Sequence, residues 1–432
     1  MSDFDCVVIG GGMVGAASAL ALAEQGLRVA VVEKYQPDAF TNEQTLDLRV
    51  SAISLGSQFL LEQLGAWSQI KQWRVCPYKR LGVWEKEFAY TEFNAADIKQ
   101  PYLGHIVENR LIQLALWQQI AEHDRVTLFC PEQLVDIKQD NDKVTVILQS
   151  LLPQSHLSQS TSSQNPSTKK TSTKNIVTKS ITAKLLIGAD GANSQVRQLV
   201  NIGITTWDYQ QSAMLINVET AQGQQDITWQ QFFPTGPVAF LPLAKKQVDQ
   251  VDNVGYASLV WYHQRDEIKR LAALSNTQLQ QEVLAHFPKR LSELGELKVI
   301  DKAAFPLTRR HANTYQHNRV LLLGDAAHTI NPMAGQGVNL GFKDVKALQN
   351  VIACAIADGK CWSNIDVLAQ YEKVRRKDNL LMQSTMDALY FGFSHPSPLI
   401  KTLRNVSLLA LNKVPFVNSV VKNKALAYAC GI

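Results

Sequence analysis

The 432-residue chain lacks any uninterrupted apolar run approaching the length of a bilayer-spanning helix, which argues against an integral membrane protein. It has no basic leader ahead of its first apolar segment, so no secretory signal is expected. Cys6, Cys76, Cys130, Cys354, Cys361 and Cys430 are scattered, and no Cys-x-x-Cys pair occurs. That argues for reduced thiols in the cytosol and against a zinc site; no metal is expected. A net charge of +5 is weak ground for any anionic partner, and no nucleic acid is expected. Acidic residues are missing altogether from two stretches. Pro153 to Ser180 is rich in Ser, Thr, Gln and Lys, cannot bury a core, and is predicted to be a disordered polar insertion over 153–180. Ala388 to Ile432 instead mixes Lys401, Arg404, Lys413, Lys422 and Lys424 with apolar residues. Leu399, Leu403 and Val406 there follow helical spacing. The tail reads either as a basic amphipathic segment on an anionic membrane surface or as a helix packed on the body.

What is present begins with length, which exceeds a single core and predicts two or more domains. The N-terminal stretch reads strand, Gly10-Gly11-Gly12-Met13-Val14-Gly15, alanine-rich helix, second strand, Glu33. Gly10 permits the tight turn, Gly12 admits a pyrophosphate, and Gly15 allows close helix–strand packing. Glu33 ends the second strand about 20 residues on, where an acid hydrogen-bonds a ribose hydroxyl. This context points to a dinucleotide site.

Further along, Arg49 stands among apolar residues in Asp47–Ser54. A guanidinium buried there needs an acceptor, supplied by a salt bridge or a cofactor. Asn109 is a plausible cap for a helix running to Ile120. Arg110 in its first turn opposes the helix dipole, so it is either solvated or bound to something anionic. Lys184–Ile187 reads as a strand leading into Asp190-Gly191, a tight turn before a helix that carries Arg197 and is capped by Asn193 or Ser194. Trp229–Leu243 and Tyr256–Tyr262 read as aromatic-rich strands of a second domain. Finally, the strand Val320–Leu323 runs into Gly324-Asp325, then a turn with Gly335, Gly337 and Gly341, then a helix over Val345–Ala357. Asp325, acceptor-only when ionised, suits sugar-like hydroxyls. His328 reads as structural.

These three patches resemble the single-component flavin aromatic hydroxylases of the para-hydroxybenzoate hydroxylase type, and among them the ubiquinone-biosynthesis hydroxylases. Asp47–Ser54, Gly188–Arg197 and Gly324–Asp344 carry the closer likeness, together with Trp229–Phe232, Leu259–Tyr262 and Phe305–Ala312. The resemblance implies an α/β fold: a Rossmann-like FAD-binding domain, an interleaved β-sheet substrate domain, and a C-terminal helical tail. The FAD-binding domain would comprise 1–75, 109–199 and 306–398, the substrate domain 76–108 and 200–305, and the tail 399–432. It also implies FAD as cofactor, NAD(P)H as cosubstrate in a transient groove, O2 as oxidant, and a polyprenylated benzoquinol hydroxylated through a flavin C4a-hydroperoxide. By the same resemblance Asp190-Gly191 serves both flavin and nicotinamide, and Arg197 lies in that motif. Asp325 holds the ribityl chain, Arg49 contacts the cofactor, and Pro332 with the backbone of Gly335, Gln336 and Gly337 lies against the flavin ring. Pro306 turns its backbone to the substrate ring. A halogenase of this fold would carry Trp-x-Trp-x-Ile-Pro, which is absent, and a non-catalytic prenyl-binding relative would lack a complete Gly-Asp motif. A greasy substrate implies a cytoplasmic enzyme docked peripherally on the inner face of the membrane, or on other ubiquinone-biosynthesis enzymes that present the quinol.

Overall fold

A computed structural model describes residues 2–151, 178–245, 254–330, 335, 337–395, 397–413 and 421–431. Short branched runs form its central layer. Cys6–Ile9, Val29–Val32 and Leu185–Gly188 are buried along their whole length, as strands covered on both faces must be. They lie in a six-stranded sheet ordered Gln316–His317, Val320–Leu322, Leu185–Gly188, Cys6–Ile9, Val29–Val32, Val126–Phe129, parallel except at the first pair. The helices Met13–Ala23, Asn109–Glu122 and Gly337–Ala357 carry its covering side chains, and one hydrophobic core joins them to the sheet.

The second layer is an eight-stranded sheet. Its order is His328–Thr329, Leu297–Ala312, Ile204–Thr220, Gly255–Gln264, Val238–Leu243, Ile227–Gln231, Arg80–Trp84, Thr91–Asn94. One face packs Trp229, Phe240, Leu259 and Trp261 against the helices Arg265–Ala273 and Asn276–His286. The other face turns toward the first layer. Two helices then return over the sheet, Ile365–Ser394 and Pro398–Lys413.

Several expectations shift. The expected domain boundary at 305/306 falls inside the strand Leu297–Ala312, which stays paired with Ile204–Thr220 on both sides of it. The 76–108 segment also divides. Arg80–Trp84 and Thr91–Asn94 join the large sheet, whereas Cys76–Tyr78 and Gly104–Glu108 pair with Val50–Ser54. Most of 153–180 lies outside the described residues, but Thr178–Ser180 are not disordered. They open the strand Thr178–Ala183, held to Val144–Ser150 by backbone pairing and anchored by buried Ile181 and Ala183. Asn109 is not a cap: Glu108 holds that position, and the Asn109 Oδ1 accepts from the Ser51 hydroxyl at 2.7 Å. The last helix of the Gly-Asp patch starts at Gly337, well before Val345. Gly341 sits inside it because a Cβ there would come within 2.5 Å of Val14.

Candidate active site

The glycine turn after Cys6–Ile9 is built as its spacing requires. Gly10 has φ +102°, and a Cβ on it would lie 2.4 Å from the Ala189 carbonyl oxygen. A Cβ on Gly15 would lie 1.8 Å from the Gly10 oxygen, so helix and strand meet only through glycine. Gly12 differs: a Cβ there meets nothing within 4 Å. The Met13–Ala23 helix that follows has no side-chain cap, which leaves its first N–H groups free for an anion. Glu33 accepts from the N–H of Gly11 at 2.6 Å, and also from Lys34 and Tyr35. It therefore braces the turn itself. Trp117 and Gln113 brace it from the other side, both donating to the Gly11 carbonyl oxygen, at 2.7 and 2.9 Å. The sequence carries no local signal for that pair.

In the second patch Gly191 takes φ +82°. One Asp190 carboxylate oxygen accepts from the N–H groups of Gln195 and Val196, and Ser194 caps the short helix by accepting from Arg197 N–H. Arg197 is buried and donates to the carbonyls of Ala326 and Ala192. It therefore ties the Asp-Gly and Gly-Asp loops together, with its guanidinium spent on backbone. Arg110 likewise finds its anion within the chain: it forms a bidentate pair with Asp47 and donates to the Asp38 carbonyl.

The third patch rests on a buried charge cluster. Asp344 accepts from Gly324 N–H at 2.9 Å, His328 Nε2 at 2.6 Å and Arg375 Nε at 2.7 Å, with Asn379 at 3.3 Å. Burial alone would push its carboxyl up, but His328 and Arg375 outweigh that and hold it well below the usual range. His328 is thus buried within this network, its Nε2 on Asp344. Asn339 ties the following helix to Val50–Ser54, donating to Ala52 O and accepting from Ser54 N–H. Both Asp344 and Asn339 lie in the Gly324–Asp344 stretch, yet nothing in its pattern distinguishes them.

Asp325, beside this cluster, makes no hydrogen bond among the described residues and opens into a cavity of about 510 Å³. The surrounding protein raises its pKa, opposed by His328, Arg49 and Arg310. Arg49 and Gly335 line the same cavity. Arg49 is exposed, contrary to the buried guanidinium expected, since it borders this open cavity instead of packing among apolar side chains. Beyond Asp325 the walls become apolar: Leu215, Phe232, Leu241, Val260 and Phe305 from the large sheet, with Met386, Leu389, Leu426 and Ala429 from the C-terminal helices. Phe305 supplies a side chain to this wall, and by strand alternation the side chain of the next residue, Pro306, points the other way. Pro332 and Gln336 lie outside the described residues. Among the described residues, no cluster of His, Cys, Asp and Glu could hold a metal ion.

An uncapped helix N-terminus, an open Gly12, an unpaired acid at a strand end and an adjoining apolar cavity fit a flavin dinucleotide whose ring end meets a hydrophobic substrate. The chain belongs to the family of the FAD binding domain, whose model matches residues 3–379. It is an FAD-dependent monooxygenase. It is 43% identical over 428 residues to the 3-demethoxyubiquinol 3-hydroxylase of Escherichia coli K12, covering 99% of this chain and 98% of that protein. It is 30% identical over 413 residues to the ubiquinone hydroxylase UbiL of Rhodospirillum rubrum, covering 95% and 86%. The fold matches the crystal structure of p-nitrophenol 4-monooxygenase PnpA from Pseudomonas putida, with a TM-score of 0.72 over 98% of this chain and 96% of that one, at 19% identity.

Proposed function

We propose that this flavoprotein hydroxylates the ring of a polyprenylated benzoquinol in ubiquinone biosynthesis, at the position that a 3-demethoxyubiquinol leaves open. The carrying observation is the continuity of the site. Asp325, Arg49 and Gly335 stand at one end of a cavity whose other walls are apolar and reach the C-terminal helices. Such a shape takes an aromatic ring with a hydrocarbon tail. The 43% identity to the Escherichia coli enzyme over 99% of this chain supports the choice of ring.

The net reaction consumes one ring C–H, O2, NAD(P)H and a proton, and yields a ring hydroxyl, water and NAD(P)+. Bound FAD supplies the redox chemistry, taking hydride from NAD(P)H and activating oxygen. The protein supplies position and dryness. Gly12 and the Met13–Ala23 N-terminus would hold the pyrophosphate, and Asp325 would accept from ribityl hydroxyls. The apolar walls exclude water from the reacting face. Incubating the purified protein with NAD(P)H and a short-chain demethoxyubiquinol tests this. Quinol-stimulated NAD(P)H oxidation with a product heavier by one oxygen is expected; no oxygenated product would overturn the reading.

The enzyme would work in the cytoplasm, docked peripherally where its substrate resides. Leu399, Leu403 and Val406 form an exposed apolar stripe on the acid-free helix Pro398–Lys413, and Phe391 is exposed on the preceding helix. Among the described residues, no helix is long and apolar enough to cross a membrane. Three of the basic residues are already engaged: Arg404 pairs with Glu85, Lys401 reaches the same carboxylate at 4.0 Å, and buried Lys422 pairs with Asp97. Docking would therefore lean on the apolar stripe more than on charge. Sedimentation with lipid vesicles that salt barely releases is the expected result; no sedimentation would remove the membrane from the account.

A further inference from the structure

Two polar side chains on the large-sheet side of the cavity have no assigned role. On the sheet side its lining includes Thr228, Gln230 and Tyr262 among otherwise apolar residues. The Thr228 hydroxyl is committed, donating to the Phe240 carbonyl at 2.8 Å. Gln230 and Tyr262 are not: both are buried, and neither side chain has a hydrogen-bond partner among the described residues. Neither is a sealed defect, because the unpartnered, fully enclosed polar atoms include none of theirs. Their polar ends thus keep some exposure on residues that line the cavity. A polar group kept in an apolar wall costs desolvation unless something binds it, so it marks where a ligand's polar atom belongs.

Sheet register sets their spacing. Gln230 pairs with Ala239, which pairs with Val260, and Tyr262 lies two residues along the same strand. Gln230 and Tyr262 therefore stand two strands and one row apart, about 12 Å between Cα atoms. Ala239 and Val260 form the floor between them. One aromatic ring with an oxygen at either end bridges that span. Tyr262 is also held in place: its N–H donates to Pro237 O, and Gly236 packs so closely that a Cβ there would come within 2.8 Å of the Tyr262 Cβ. Burial pushes its phenol well above the ordinary range, so it stays a neutral donor at physiological pH.

We infer that Gln230 and Tyr262 recognise the oxygen substituents of the substrate ring and fix which ring carbon faces the flavin. This rests on the quinol reading above. It makes ring orientation a property of two hydrogen bonds, and the tail a matter of apolar contact alone.

The test uses FAD-loaded wild type, Tyr262→Phe and Gln230→Met, with a short-chain demethoxyubiquinol and analogues each lacking one ring oxygen. Dissociation constants come from the perturbation of flavin absorbance. Each variant should keep its FAD and bind the full quinol about tenfold more weakly, the worth of a neutral hydrogen bond. For the analogue lacking the partner oxygen, wild type and variant should bind alike. A merely structural side chain would shift all analogues equally. Equal binding of the full quinol by wild type and both variants, or an equal shift for every analogue, overturns this inference alone. If wild type binds none of the quinols, the proposed function falls, and this inference with it.

Discussion

Replacing Asp344 with Asn probes the cluster beneath the Gly-Asp loop. Every contact to the carboxylate comes from a donor: Gly324 N–H, His328 Nε2, Arg375 Nε and Asn379 Nδ2. An amide must aim its NH2 at one of them, and the cluster loses its only central negative charge. Breaking a buried ion pair this way costs about 3–5 kcal/mol. Arg375 keeps Asp378 at 2.6 Å, so the lower end applies. With a urea slope of about 3 kcal/mol per molar, a loss of about 3 kcal/mol lowers the midpoint by about 1 M. The assay is urea unfolding followed by tryptophan fluorescence, with FAD content measured on the same samples. FAD retention should fall as well, since Asp344 fixes the Gly324 N–H beside Asp325. The sign with pH follows from the depressed folded pKa. The contribution is fully present above the ordinary aspartate value of 3.8 and fades as pH drops below it. The gap between wild type and Asp344→Asn should therefore stay constant from neutrality to about pH 4 and shrink only in stronger acid. A midpoint within about 0.2 M of wild type, with full FAD content, would refute the argument.

Gly12→Val should fold normally and lose FAD, because its side chain enters open space meant for the pyrophosphate, whereas Gly15→Val should fail to fold against the Gly10 carbonyl; circular dichroism and flavin absorbance separate the two. Asp325→Ala should lose FAD affinity or hydroxylation at least tenfold with an unchanged unfolding midpoint, since the native side chain bonds nothing among the described residues. Changing Leu399, Leu403 and Val406 together to Ser should abolish vesicle sedimentation while leaving turnover of a short-chain quinol in detergent within about twofold, because exposed side chains contribute little to the fold; unchanged sedimentation would acquit the stripe. Truncation before Pro398 is a poor substitute, since it also strips Leu426, Ala429 and Cys430 from the cavity wall.

The glycine signals were legible because their constraints are local. Gly10, Gly191, Gly324 and Gly335 all take positive φ, and the glycine at each site answers a turn the chain must make there. Roles that depend on distant partners were not. Arg197, placed by resemblance in a motif that serves flavin and nicotinamide, gives its guanidinium to the carbonyl of Ala326, far along the chain. Arg110 has an anion in Asp47 that no periodicity reveals. The tail shows helical spacing, yet its last turn closes the cavity by contacts as remote as Cys430 with Leu103. The boundary placed at 305/306 was illegible for the same reason: it falls inside one long strand, Leu297–Ala312, whose pairing is set by register across the sheet.

On the proposed function, one atom of O2 enters the ring of a prenylated quinol. Turnover of a short-chain demethoxyubiquinol with NAD(P)H under 18O2, read by mass spectrometry, tests it most directly. A ring hydroxyl labelled from 18O2, with none from H2 18O, is the expected result. An unlabelled product, or NAD(P)H consumption that yields only peroxide with the quinol unchanged, would contradict it.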